Sequence, residues 1–102
     1  MSEREVADET TPPGVERVDT ALLGETLDRE REAERLRVMG EPTRFVILYL
    51  LAEEGTLRSG ELATLLGRSQ NDLYHHLNTL EEAGLVGKYR DGGSRGYELS
   101  PL

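Results

Sequence analysis

Ser69-Gln70-Asn71-Asp72-Leu73-Tyr74-His75-His76-Leu77 is the stretch that decides the fold. Ser69 and Asp72 stand at capping-box spacing, with Asp in place of Glu, so a helix is predicted from Ser69 to Ala83. Leu73, Leu77 and Leu80 fall at i, i+4 and i+7, which makes one stripe that faces inward. At 100° per residue the opposite stripe carries Asn71, Tyr74, His75 and Asn78, with Gln70 projecting from the first turn. Just upstream, Ser59 is a candidate N-cap for a short helix, Gly60 to Leu66, burying Leu62, Ala63, Leu65 and Leu66. Gly67 closes that helix at C′, and only Arg68 separates it from the next cap. Two helices joined by so tight a glycine turn are the signature of a helix-turn-helix.

Downstream, Leu85–Arg90 and Arg95–Leu99 flank Asp91-Gly92-Gly93-Ser94, a β-hairpin with a glycine-rich tip. Alternation puts Leu85 and Tyr89 on one side and Lys88 and Arg90 on the other, while Tyr97 and Leu99 return toward the core. The predicted fold is mainly α with a small β-hairpin wing, a winged helix-turn-helix. A polar-faced helix beside a basic ribbon is the geometry by which such a domain lies on duplex DNA.

Upstream, the run from Arg44 to about Glu53 is nearly continuous in apolar residues: Phe45, Val46, Ile47, Leu48, Tyr49, Leu50 and Leu51. It reads as a helix buried on most sides, with Phe45 and Tyr49 in the core. Pro42 suits its first turn and Gly55 stops it. Gly40-Glu41-Pro42 ends an earlier helix predicted over Val18–Val38. In that helix Leu22, Leu23 and Leu27 form an apolar patch suited to dimerisation, and Glu25–Arg29 is an i,i+4 pair. Residues 1–16 are acidic and contain Thr10-Thr11-Pro12-Pro13-Gly14, a predicted disordered tail. The winged-helix domain is then 17–102, including the N-terminal helix.

A chain of 102 residues, 36% apolar with those residues crowded beyond Leu36, supports one small core. It has no cysteine, which excludes disulfides, thiolate metal sites and a cysteine nucleophile. An acidic N-terminus resembles no signal peptide, and no apolar run approaches the ~20 residues of a membrane span. The protein is therefore expected to be soluble and cytoplasmic. No phosphate-binding glycine loop and no nucleophile beside a base is recognisable, so the chain reads as a non-enzyme without a cofactor.

A net charge of -8 argues against a nucleic-acid partner until it is divided along the chain. Residues 1–35 hold eleven acids and five bases, a net of -6; residues 36–102 hold nine acids and seven bases, a net of -2. The bases are eleven Arg and a single Lys. An acid-rich, lysine-poor balance of this kind suits a halophilic, haloarchaeal-like chain, in whose surroundings long-range repulsion is screened within roughly 3 Å. Negative charge then serves solvation.

From Leu36 to Leu99 the chain resembles the winged-helix domain of ArsR-type transcriptional repressors. The resemblance rests on Gly40-Glu41-Pro42-Thr43-Arg44, on Glu61-Leu62-Ala63, and on Ser69-Gln70, His75-His76-Leu77 and Leu80-Glu81-Glu82-Ala83-Gly84-Leu85-Val86. It implies a DNA-binding repressor that acts as a homodimer. It also marks two departures. Metal-sensing members carry a Cys-x-Cys pair where Arg58 and Gly60 stand here, so no metal site carries over. Many members close with a dimerising C-terminal helix, whereas Leu102 lies just past the wing, so dimerisation is expected to use the N-terminal helix or to be absent.

Gln70, Asn71, Tyr74, His75 and Asn78 are accordingly the candidate base readers. Asn and Gln pair bidentately with adenine in the major groove, a contact worth ~1–3 kcal/mol of discrimination. An ordinary solvated face would be richer in Glu, Lys and Arg. Lys88, Arg90 and Arg95 on the wing are candidates to contact the DNA backbone or enter the minor groove, although charges there also protect an edge strand. Arg44, Arg68 and Ser69, near helix starts, are further backbone candidates, with structural ion pairing an equal reading for the two arginines. His76 lies about 60° from the leucine stripe and is predicted at the core edge. The rival function is a protein-interaction module that docks on a partner through the Leu22/Leu23/Leu27 helix or the acidic face. No small-molecule effector is named by the sequence.

Overall fold

A computed structural model describes residues 11–24 and 27–101. The chain divides into two compact units, residues 1–33 and 34–102.

In the first unit, α1 (Pro13–Arg17) begins with proline at its first turn and continues as a π-helical segment, Val18–Leu23. This corrects the single helix expected over Val18–Val38. Gly24, at φ 69°, leaves the helical region, and the chain re-enters a helix at α2 (Arg29–Met39). Asp28 starts α2 by accepting the Glu30 N–H through Oδ1. Residues 1–10 of the expected tail lie outside the described residues, and its end is helical from Pro13. Glu25 also lies outside them; Arg29 pairs with Asp19 at 2.9 Å.

The second unit holds the rest of α2, then α3 (Pro42–Glu54), β1 (Thr56–Arg58), α4 (Ser59–Leu66), α5 (Gln70–Glu82), β2 (Val86–Asp91) and β3 (Ser94–Leu99). The strands form one antiparallel sheet in the order β1-β3-β2. The hairpin is joined to a third strand the sequence did not announce, and Leu57 of β1, opposite Tyr97, enters the core. Leu73, Leu77 and Leu80 of α5 pack with Val38, Ile47, Leu51, Leu62, Val86 and Tyr97.

Helix α3 is where the apolar pattern misleads. Its buried positions are Thr43, Arg44, Ile47 and Leu51, a single stripe. Phe45 and Tyr49, expected in the core, lie on the other side and are 62% and 60% exposed, and Val46 is exposed with them. A thirteen-residue helix covered on one flank buries one stripe whatever the composition of the rest. The same geometry turns Leu65 outward at 56% exposure, because on the short α4 the face of Leu62 is the inward one. Leu99, the last residue of β3, is likewise exposed.

Candidate nucleic-acid interface

The turn between α4 and α5 follows the sequence closely. Gly67 adopts φ 65°, ψ 34°, so the Arg68 N–H reaches the Ala63 carbonyl at 3.0 Å and the Gly67 N–H reaches Thr64 at 3.3 Å. These bonds satisfy carbonyls that a helix end leaves open. Ser69 then caps α5, its Oγ accepting the Asp72 N–H at 3.2 Å. At the far end Gly84, at φ 76°, lets the Leu85 N–H return to Leu80 at 2.9 Å. With both ends fixed and three leucines buried, the outer face of α5 is set. Asn71, His75 and Asn78 are exposed on it, and Gln70 is exposed at its start.

Ser59 has a different duty from the one expected. Arg58 occupies the N-cap of α4, and its N–H is satisfied by Glu61 Oε1 at 2.8 Å. Ser59 is buried and spends its hydroxyl across the turn, donating to Gln70 Oε1 at 3.0 Å. Tyr74, one turn along α5, donates its hydroxyl to the same oxygen at 3.4 Å. Tyr74 is therefore half-buried, and its ring carries the Arg95 guanidinium 5.4 Å from its centroid. A cation over an aromatic face contributes about 0.5–1 kcal/mol when exposed.

The wing places its cations by register. Gly92 and Gly93 both have positive φ, 59° and 92°, the two-residue turn that matches the right-handed twist of a hairpin. Arg90 lies opposite Arg95 and Lys88 opposite Tyr97. Directly opposed residues share a face. The basic residues thus stand on the face that Tyr97 buries in the core, the side toward α5, and Tyr89 stands on the other, against Gly96. Lys88 Nζ is 3.5 Å from Glu81 Oε1 of α5, which offsets part of its charge. Arg90 and Arg95 meet Arg58, Ser59, Gln70 and Tyr74 around an open cleft of about 600 Å³.

Arg44 does not belong to this face. Only 9% exposed, it donates Nε to the Val38 carbonyl at 2.7 Å and Nη1 to His76 Nδ1 at 3.3 Å. It ties α2, α3 and α5 together, so its guanidinium is committed to the protein's own structure and not to the phosphate contact expected of it. His76 sits at the core edge, where burial pushes its imidazole below the ordinary value and Glu41, 3.9 Å away, works in the opposite sense. The bond from Arg44 assigns Nδ1 as acceptor and leaves the ring proton on Nε2. Arg68 is exposed beside the start of α5, and Ser69 is exposed but occupied as a cap. In the first unit Leu22 is 74% exposed, Leu27 is exposed and Leu23 is half-buried.

Residues 39–87 match the family described as a helix-turn-helix domain. An HTH-type transcriptional regulator of Methanocaldococcus jannaschii is 40% identical over 63 residues, 62% of this chain and 71% of that protein. The arsenical resistance operon repressor of Escherichia coli is 37% identical over 65 residues, 64% of this chain and 56% of the repressor. Among solved structures, HlyU from Vibrio cholerae superposes with a TM-score of 0.69 at 30% identity, over 76% of this chain and 83% of HlyU. Sequence and backbone comparisons thus agree, and the chain belongs to the ArsR-type winged helix-turn-helix transcriptional regulators.

Proposed function

We propose that the protein is a repressor that binds a specific double-stranded DNA sequence, with α5 in the major groove and the β2–β3 wing on the flanking backbone. The observation that carries this reading is the shared orientation of two chemistries. The amide and imidazole groups of Asn71, His75 and Asn78 line the outside of α5 together with Asp72 and the exposed Glu82 of its last turn, and Arg90 and Arg95 stand on the wing face turned toward that helix. Amides and imidazole recognise base edges, whereas guanidinium groups neutralise phosphate. Asn71, His75 and Asn78 are assigned to base edges, and Lys88, Arg90, Arg95 and Arg68 to the backbone. Two copies on a two-fold site would use the exposed Leu22 and Leu27 of the N-terminal unit, together with Leu23, as their contact.

A duplex taken from a footprint on the protein's own promoter tests the division of labour. Asn71→Ala or His75→Ala should weaken that duplex by roughly 1–3 kcal/mol and leave random DNA nearly unchanged. Arg90→Ala should weaken both about equally and reduce the salt slope by about 1. Effects in the reverse order would refute the assignment. The four backbone cations limit the slope to roughly -3.6 per protomer at about -0.9 per phosphate, so specific binding should persist to higher potassium chloride than a strongly basic domain allows.

A further inference from the structure

We propose that Gln70 reads its base pair as a hydrogen-bond donor only, and so selects guanine over adenine, the base to which a glutamine side chain is otherwise matched. This rests on α5 occupying the major groove. A side-chain amide oxygen has two lone pairs. In Gln70 both are engaged, by the Ser59 hydroxyl at 3.0 Å and the Tyr74 hydroxyl at 3.4 Å. What remains for a ligand is the NH₂ group with its two donors.

The orientation of the amide is set by its neighbours. Ser59 is buried at the start of α4, and a buried hydroxyl proton requires an acceptor. Among the described residues the acceptor recorded for both Ser59 and Tyr74 is Gln70 Oε1. Turning the amide over would present NH₂ to both hydroxyls and strip both of that acceptor. Tyr74 is itself positioned, because Arg95 lies over its ring. Ser59 and Tyr74 are thus positioning residues, and Arg95 couples the wing to the same device.

The chemistry of the groove then decides the base. Adenine pairing with glutamine needs the amide oxygen to accept from N6 while the NH₂ donates to N7. With the oxygen occupied, adenine N6–H₂ faces a second donor. Guanine offers N7 and O6, both acceptors.

Selection of binding sites from a randomised duplex library tests this, using the wild type, Gln70→Ala, Tyr74→Phe, and Ser59→Ala combined with Tyr74→Phe. Tyr74→Phe keeps the ring under Arg95, so one arm survives even if Ser59→Ala impairs folding. The position whose preference disappears in Gln70→Ala should be guanine in the wild type, favoured over adenine by about fivefold or more. Tyr74→Phe should reduce that ratio, and the double variant should bring it to unity or reverse it. Adenine at that position in the wild type, a ratio unmoved in both hydroxyl variants, or no position altered by Gln70→Ala would overturn the inference while leaving specific DNA binding intact. A library that yields no enriched sequence would overturn the DNA-binding reading itself, and this inference with it.

Discussion

Helices α3 and α5 are both thirteen residues long, and they disclose themselves in opposite ways. In α5 polar residues interrupt the leucines, so the inward stripe can be read directly, and Leu73, Leu77 and Leu80 are fully buried. In α3 the apolar run has no such interruption, and it conceals an exposed face made of Phe45, Val46 and Tyr49. Apolar residues say that a helix has something to bury; polar residues say where. Helix α5, whose polar outer face the proposed function turns toward DNA, is for that reason the more readable of the two.

The contrast breaks most sharply at Leu77. Leu77→Ala removes a fully buried side chain and should cost ~2–5 kcal/mol in denaturant unfolding. A loss below that range would mean that the α5 stripe is not the core.

A smaller effect, dependent on pH, is expected where α3 and α5 meet through Arg44 and His76. Burial holds the His76 imidazole below its ordinary 6.5, so the unfolded chain takes up the proton first. His76 therefore contributes stability that is complete above about pH 6.5 and is lost as pH falls through the folded value. Arg44, His75 and Arg68 add to the depression, and Glu41 opposes it. The Glu41 carboxyl, lowered chiefly by the Arg44 N–H it accepts, adds its own loss below its ordinary 4.5. Unfolding at pH 7.5 and 5.5 should show the wild type losing stability on acidification and His76→Gln losing less. Equal losses would remove His76 from the account.

The smallest effect belongs to Phe45. As an exposed side chain it should change stability by no more than about 0.5 kcal/mol on replacement by alanine. A cost near that of Leu77→Ala would place α3 back in the interior on both sides.

Much of the fold could be read from local chemistry. The leucine stripe, the Ser69 cap, Gly67 and the glycine tip of the wing each depend on a few neighbouring residues, and each forms as the pattern implies. The misses are matters of partners distant in sequence. Strand β1 spans only Thr56–Arg58, too short for alternation to register, and exists because β3 offers it an edge. Gly24, at φ 69°, ends a helical segment whose apolar periodicity along the sequence runs on past it. Ser59 looked like a cap because its use, eleven residues away at Gln70, is invisible along the chain. Arg44 near a helix start looked like a phosphate contact, and nothing local marks the Val38 carbonyl and His76 ring that claim it. In the candidate site, residue types were evident from the sequence and their hydrogen-bond commitments were not.

The most direct measurement is a backbone amide chemical-shift titration of the full chain with a selected duplex. The account predicts that the largest shifts cluster at Gln70–Asn78 and Arg90–Arg95, while the exposed Phe45–Tyr49 face of α3 stays unmoved. Shifts centred on α3, or a titration without change at α5 and the wing, would contradict it.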